Sequence, residues 1–179
     1  ADMDAFFELA ERHRLVLVED AACAVGALHR GRPIGSLGPL SCFSFHPRKV
    51  ITCGEGGMIA VHDPELAERL RRLRQHAMDQ SALQRHAAAD VRIESYPERG
   101  WNARMTDLQA ALGRVQLQRL PEIIGRRREL ARRYGEALAS IPGVVVPREP
   151  AWARSNWQSY CIGLPVGANQ REVMQTMLD

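Results

Sequence analysis

Four consecutive apolar residues, Leu15-Val16-Leu17-Val18, run straight into the acidic pair Glu19-Asp20, and few architectures accept that pattern. An unbroken aliphatic run, as opposed to an alternation, is the pattern of a parallel strand buried on both faces. In α/β folds the carboxyl end of such a strand opens on the crevice where ligands bind, which puts Asp20 at a ligand-binding position. A strand of this kind needs helices around it, and the flanking sequence supplies them. Residues 2–13 place Met3, Phe6, Phe7 and Ala10 near helical spacing behind an Asp able to serve as N-cap, with a turn at His13-Arg14.

Further along, glycines 26, 31, 35 and 38 punctuate a stretch that leads to short strands expected at Ser41–Phe45 and Met58–Val61, separated by the turn Gly54-Glu55-Gly56-Gly57. Asp63-Pro64 opens a helix to about Gln75, carried by Leu66, Leu70 and Leu73, whereas residues 77–101 show no sustained period and read as a long loop. Thr106 or Asp107 caps a helix to about Leu120, with Leu108, Ala111, Leu112, Val115 and Leu117 on an apolar side. Pro121 then permits a bend into a long helix ending near Ala139. Val144-Val145-Val146 and Tyr160–Leu164 read as the first strands of a smaller domain, followed by the start of another helix. The domain expectation is therefore residues 1–120 as the carboxyl-terminal part of a large domain, and residues 121–179 as a linking long helix and the beginning of a small one.

Composition narrows the function classes. At 45% hydrophobic and 25% charged, the chain has the balance of a folded globular protein. Its apolar runs fall short of the roughly 18 residues of a membrane span, and no signal-peptide pattern is present, so the expectation is a cytoplasmic protein without membrane partners. Cys23, Cys42, Cys53 and Cys161 form neither a CxxC pair nor a zinc-ligand spacing; they read as reduced, mostly buried residues, with no metal site. The basic cluster Arg126–Arg128 with Arg132 and Arg133 is interleaved with Glu122, Glu129 and Glu136, a solvated helix face. With a net charge of +3 and 6% aromatic residues, nucleic acid is not the expected partner.

Lys49 is the only lysine among 24 Lys and Arg residues. Arginine can serve a solvated surface charge, but it cannot form a Schiff base, because that chemistry requires a primary amine able to lose its proton. A carboxylate at a strand end (Asp20) and an amine in a loop off another strand (Lys49) are the two protein groups that pyridoxal 5'-phosphate needs. The carboxylate keeps the pyridine nitrogen protonated, and the amine holds the cofactor and moves the substrate proton.

The motifs are more specific than the pair. Glu19-Asp20-Ala21-Ala22, then Phe43-Ser44-Phe45-His46-Pro47-Arg48-Lys49, then Gly54-Glu55-Gly56-Gly57, then Gly100-Trp101-Asn102-Ala103-Arg104-Met105-Thr106-Asp107-Leu108-Gln109-Ala110-Ala111 follow one another in order. This series resembles the sugar aminotransferase family often called DegT/DnrJ/StrS, of the aspartate-aminotransferase fold (fold type I), and the resemblance covers essentially the whole chain. It implies an α/β fold: part of a mixed, mostly parallel large-domain sheet with flanking helices, plus the start of a small α+β carboxyl-terminal domain. By the resemblance, Lys49 is the Schiff-base lysine, Asp20 the partner of the pyridinium nitrogen and Ser44 a phosphate ligand. Asn102 would reach the phosphate of the neighbouring subunit's cofactor, which implies a homodimer with a shared active site. Cys23 stands where the family usually has Gln contacting the ring hydroxyl, and a thiol is a much poorer donor. His46 could brace the lysine loop, and Gly54, Gly56 and Gly57 serve a sharp turn.

The activity so implied is transfer of an amino group from glutamate or glutamine to a keto group on a nucleotide-activated sugar or a cyclitol. A dehydratase branch of the family resembles this chain with His in place of the lysine, so Lys49 argues against it. Another class of reading is a non-catalytic fragment. The chain opens without Met, directly on a helix, and closes inside one, and the family's phosphate-binding turn and ring-stacking aromatic have no counterpart in it.

Overall fold

A computed structural model describes residues 1–79 and 93–178. The expected loop at 77–101 lies largely outside the described residues, and only its two ends are discussed below. Helix α1 (Met3–His13) ends where Arg14 adopts a left-handed φ of 52°, its N–H returning to the carbonyls of Ala10 and Glu11. The Asp2 carboxylate does not cap α1; it accepts from His29 Nε2 at 3.1 Å instead.

The apolar run after α1 departs from expectation. Only Glu19–Asp20 forms a strand, β1, and Val16 is 84% exposed. The reason is the length of its neighbour. Strand β4 (Leu40–Ser44) lies parallel to β1 with Glu19 opposite Ser41 and Asp20 opposite Cys42, so Val18 is level with the first residue of β4 and residues 15–17 extend past it. Strand β5 (Gly57–Val61) runs antiparallel on the other side of β4, completing a mixed sheet in the order β1-β4-β5. At its centre Ser41, fully buried, donates its hydroxyl to the Glu19 carboxylate at 2.5 Å, which satisfies a buried charge that would otherwise be costly.

Two-residue strands β2 (Leu28–His29) and β3 (Arg32–Pro33) form a small hairpin, and β6 (Ala153–Arg154) adds to its other edge in the order β3-β2-β6. Sequence patterning did not anticipate this second sheet. It joins the region after the long helix to the region after β1. The expected strands at 144–146 and 160–164 reduce to a single bridge, Val145 to Gly163.

The helices agree with expectation in place and extent. Asp63 caps α2 (Pro64–Leu73) through Glu65 N at 2.9 Å. Thr106 caps α3 (Asp107–Gln118) in a reciprocal box with Gln109, followed by α4 (Leu120–Leu138) with proline in its first turn, and later α5 (Gln170–Thr176). The apolar side of α3 is not buried as expected: Leu108 is 85% exposed, and Leu112, Val115 and Leu117 also face outward. Among the described residues no helix is long and apolar enough to cross a membrane.

Candidate functional site

The lysine loop is built between β4 and β5, and local hydrogen bonds fix its shape. Phe45 N donates to Gly56 O at 2.8 Å, Thr52 Oγ donates to Phe45 O at 2.9 Å, and Lys49 N closes a turn on His46 O at 2.9 Å. Val50, Ile51 and Cys53 are buried immediately after Lys49, so three apolar side chains anchor the loop while the lysine itself stays half-exposed. Burial pushes the Cys53 thiol up from its ordinary value, the behaviour of a structural cysteine. His46 has the bracing role: its Nδ1 accepts from Arg48 N at 3.2 Å, which leaves Nε2 to face Glu55 at 3.7 Å.

The loop forms one wall of an open cleft of about 700 Å³ lined by Cys23, Ser44, His46, Arg48, Lys49, Glu55, Gln158 and Ser159. Lys49 Nζ lies 3.0 Å from Cys23 Sγ. Ser44 Oγ accepts a long bond from His46 N at 3.4 Å, so its own proton is available to a ligand. Three of the residues expected from sequence, Cys23, Ser44 and Lys49, therefore share one cavity.

Asp20 stands at the carboxyl end of β1, three residues before the cleft residue Cys23 and outside the cleft lining. One carboxylate oxygen accepts from Ala22 N at 3.1 Å, and among the described residues the other has no hydrogen-bond partner. Asn102 is not in the cleft either. It is exposed and bridges to Gln75 at the end of α2, in a segment where Trp101 N donates to Leu73 O and Ala103 N to Arg74 O. Gly100 is required there, because a Cβ would come within 2.1 Å of Ala77 N and 2.3 Å of the His76 carbonyl carbon. The cysteine expectation needs correction: Cys53 is buried, but Cys23 and Cys161 are exposed, the first because it lines the cleft. All four thiols are free.

Two motifs separated by some fifty residues meet below the cleft. Gln109, whose side-chain oxygen accepts from Thr106 N at 2.9 Å, donates through Nε2 to Glu55 O at 2.9 Å. The Gly54–Gly57 turn is thus tied to the start of α3, and both hold the lysine loop from beneath.

Sequence reasoning missed Arg48, Glu55, Gln158 and Ser159 as cleft residues. Arg48 and Glu55 lay inside quoted motifs without roles. Gln158 and Ser159 belong to Ser155-Asn156-Trp157-Gln158-Ser159, polar residues interrupting an apolar, aromatic stretch, and that interruption was the available signal.

The donor set fits pyridoxal phosphate. The cleft supplies one amine in a half-buried loop and a hydroxyl with a free proton, and outside its lining, at the end of β1, stands a carboxylate with an unengaged oxygen. Comparison with known proteins points the same way. The DegT/DnrJ/EryC1/StrS aminotransferase family matches over residues 1–179. A dTDP-3-amino-3,4,6-trideoxy-alpha-D-glucose transaminase from Streptomyces venezuelae is 43% identical over 158 residues, covering 85% of this chain and 38% of that protein. The crystal structure of S. venezuelae DesV superimposes with a TM-score of 0.85 at 39% identity, over 100% of this chain and 44% of that one. The PLP form of Spr1654 from Streptococcus pneumoniae, described as a sugar aminotransferase, gives 0.86 at 25% identity, over 99% of this chain and 49% of that one. The chain spans less than half the length of the curated relatives it matches.

Proposed function

The chain belongs to the DegT/DnrJ/EryC1/StrS aminotransferase family, and from that premise we propose that it carries the cofactor-binding part of a pyridoxal-phosphate-dependent sugar aminotransferase. The reaction is transfer of an amino group from glutamate or glutamine to a keto group on a nucleotide-activated sugar or a related cyclitol. The observation that carries this reading is the placement of the single lysine. Lys49 Nζ sits in an open cleft with Ser44 and Cys23, on a loop braced from below by two of the four motifs.

When bound, the cofactor supplies an electron sink for charge developing on the substrate carbon. The chain's own residues do the rest. The Lys49 amine would hold the cofactor and would serve as the base and acid that carries a proton away from, and back to, the reacting carbon. Asp20, through its unengaged oxygen, keeps a proton on the ring nitrogen, and the Ser44 hydroxyl donates to the phosphate. Asn102 faces outward, where a second subunit can be reached, in keeping with a homodimer that shares its active sites. Residues 1–120 form the part of the large domain that holds these groups, and residues 121–179 the long helix and the first part of the small domain.

The test is an absorbance spectrum of protein incubated with pyridoxal phosphate, beside the Lys49→Ala variant. A near-visible band that borohydride fixes onto Lys49, and that the variant lacks, is the expected result. No band in folded protein would favour a second reading, a non-catalytic fragment, for which the exposed apolar residues of 15–18 and α3 speak.

A further inference from the structure

Two separate loops carry the groups assigned to the cofactor. The end of β1 and the turn after it bear Asp20 and Cys23, and the loop between β4 and β5 bears Lys49. For Cys23 Sγ to stand 3.0 Å from Lys49 Nζ, something must set the separation of these loops, and one short segment far away in sequence touches both.

Asn156 is 3% exposed. Its side-chain Nδ2 donates to Cys23 O and to Val25 O, both at 2.9 Å, and its Oδ1 accepts from Gln158 N at 3.0 Å. Gln158 in turn donates from Nε2 to Arg48 O at 2.7 Å, one residue before the lysine. Among the described residues Gln158 Oε1 is buried without a hydrogen-bond partner. The amide accepts that cost because turning over would set two carbonyl oxygens face to face at Arg48, so the bond to the lysine loop decides its orientation.

The segment between these two side chains is rigidly placed. Trp157 has a left-handed φ of 50°, a conformation unusual for a bulky residue and one that persists only where surrounding contacts over-determine it. Those contacts are present. Arg127 Nη1 donates to Trp157 O at 2.8 Å, Trp157 N donates to Ser155 Oγ at 3.0 Å, and the Trp157 ring packs on Tyr160 with centroids 5.5 Å apart. Arg128 donates to Ser155 O at 2.7 Å and grips Glu149, which accepts from Ser155 N. Helix α4 thereby holds the segment, and the segment holds both cofactor loops.

We infer that Asn156 and Gln158 are positioning residues for the cofactor site, acting as a clasp that sets the Cys23 turn against the Lys49 loop. The inference rests on the proposed cofactor chemistry for its consequence, though the clasp itself can be read without cofactor. The left-handed Trp157 places the two side chains so that one reaches each loop, which links the attitude of α4 to the geometry around Lys49.

The test uses the full chain with two near-isosteric variants, Asn156→Asp and Gln158→Glu, which replace the donating amide nitrogen by an oxygen: the first loses two hydrogen bonds and the second one. Hydrogen exchange without cofactor is expected to quicken at residues 21–27 in Asn156→Asp and at residues 46–53 in Gln158→Glu. Pyridoxal phosphate is expected to bind about tenfold more weakly to Gln158→Glu, the loss of about one hydrogen bond, and more weakly still to Asn156→Asp, with the pH titration of the bound-state absorbance displaced in both. A lowered melting temperature with unchanged affinity, unchanged pH titration or unchanged exchange in these loops would reduce the two residues to structural ones and overturn the inference. Gln158 is only half-buried, so its variant decides the matter even where Asn156→Asp fails to fold. Absence of any cofactor uptake by the wild type counts against the proposed function, while the exchange measurement still decides the clasp.

Discussion

Cys23 and Lys49 present a chemical mismatch at the centre of the site: a weak hydrogen-bonding sulfur stands 3.0 Å from the amine on which the proposed chemistry depends. If Cys23 faces the ring hydroxyl of the cofactor, Cys23→Gln adds a stronger amide donor there. One such bond is worth about 1 kcal/mol, roughly a fivefold fall in the dissociation constant of pyridoxal phosphate. Fluorescence titration of both proteins measures it, and an unchanged constant would remove Cys23 from the cofactor contacts. At the lysine itself, Lys49→Arg separates charge from chemistry. It retains a cation in the cleft but not an amine that can lose its proton, so the borohydride-fixed band should vanish as completely as in Lys49→Ala. Retention of the band would move the covalent attachment to another residue.

Among the elements, α2, α3 and α4 were legible from sequence because their signals are local. The Thr106–Gln109 box and the prolines at residues 64 and 121 act within one turn. Thr106→Ala should lower unfolding stability by about 1 kcal/mol in a urea titration, with a further effect on cofactor binding because Gln109 also holds Glu55 O. The short strands were less legible. Residues 15–18 have strand composition without a partner, residues 144–146 make one bridge, and β2, β3 and β6 have two residues each. Pairing decides such strands, and pairing is not written in their own residues. For the same reason Lys49, Ser44 and Cys23 could be assigned to the site, whereas Gln158, brought there by the β2–β6 ladder, could not. The tie between α4 and that region has a pH signature. The Arg128 guanidinium, bonded to both carboxylate oxygens at 2.8 and 2.9 Å, holds Glu149 below the ordinary carboxylate value of 4.5. A depressed folded value means that the stabilisation is complete above the unfolded value and is lost as pH falls through the lowered one. Glu149→Gln should therefore cost about 1–2 kcal/mol at pH 7 and progressively less in acid, so that the melting curves of variant and wild type converge below pH 4.5; a constant gap would assign the loss to packing.

At the scale of the whole molecule the distribution of apolar surface is the dominant physical fact. Among the described residues the core holds few large side chains, while Leu15, Val16 and Val18 before β1 and Leu108, Leu112, Val115 and Leu117 on α3 stand exposed. Isolated exposed aliphatics are ordinary, but Leu108, Leu112 and Val115 share one face of α3 at helical spacing, and a face of that kind associates in water. Both exposed groups lie on elements that hold the site, β1's approach and α3, so whatever surface covers them also stiffens Asp20 and the Thr106–Gln109 box. The 179-residue chain expressed alone should therefore bind a hydrophobic dye and associate with rising concentration in sedimentation velocity. The triple variant Leu108→Gln, Leu112→Gln, Val115→Gln should reduce both with little loss of melting temperature, because these side chains contribute little burial to the chain. If instead the wild-type chain stays monomeric and dye-silent at high concentration, the patches are too small to drive association. The stiffness of β1 and α3 must then come from hydrogen bonds already present, chief among them Ser41 to Glu19 and Gln109 to Glu55.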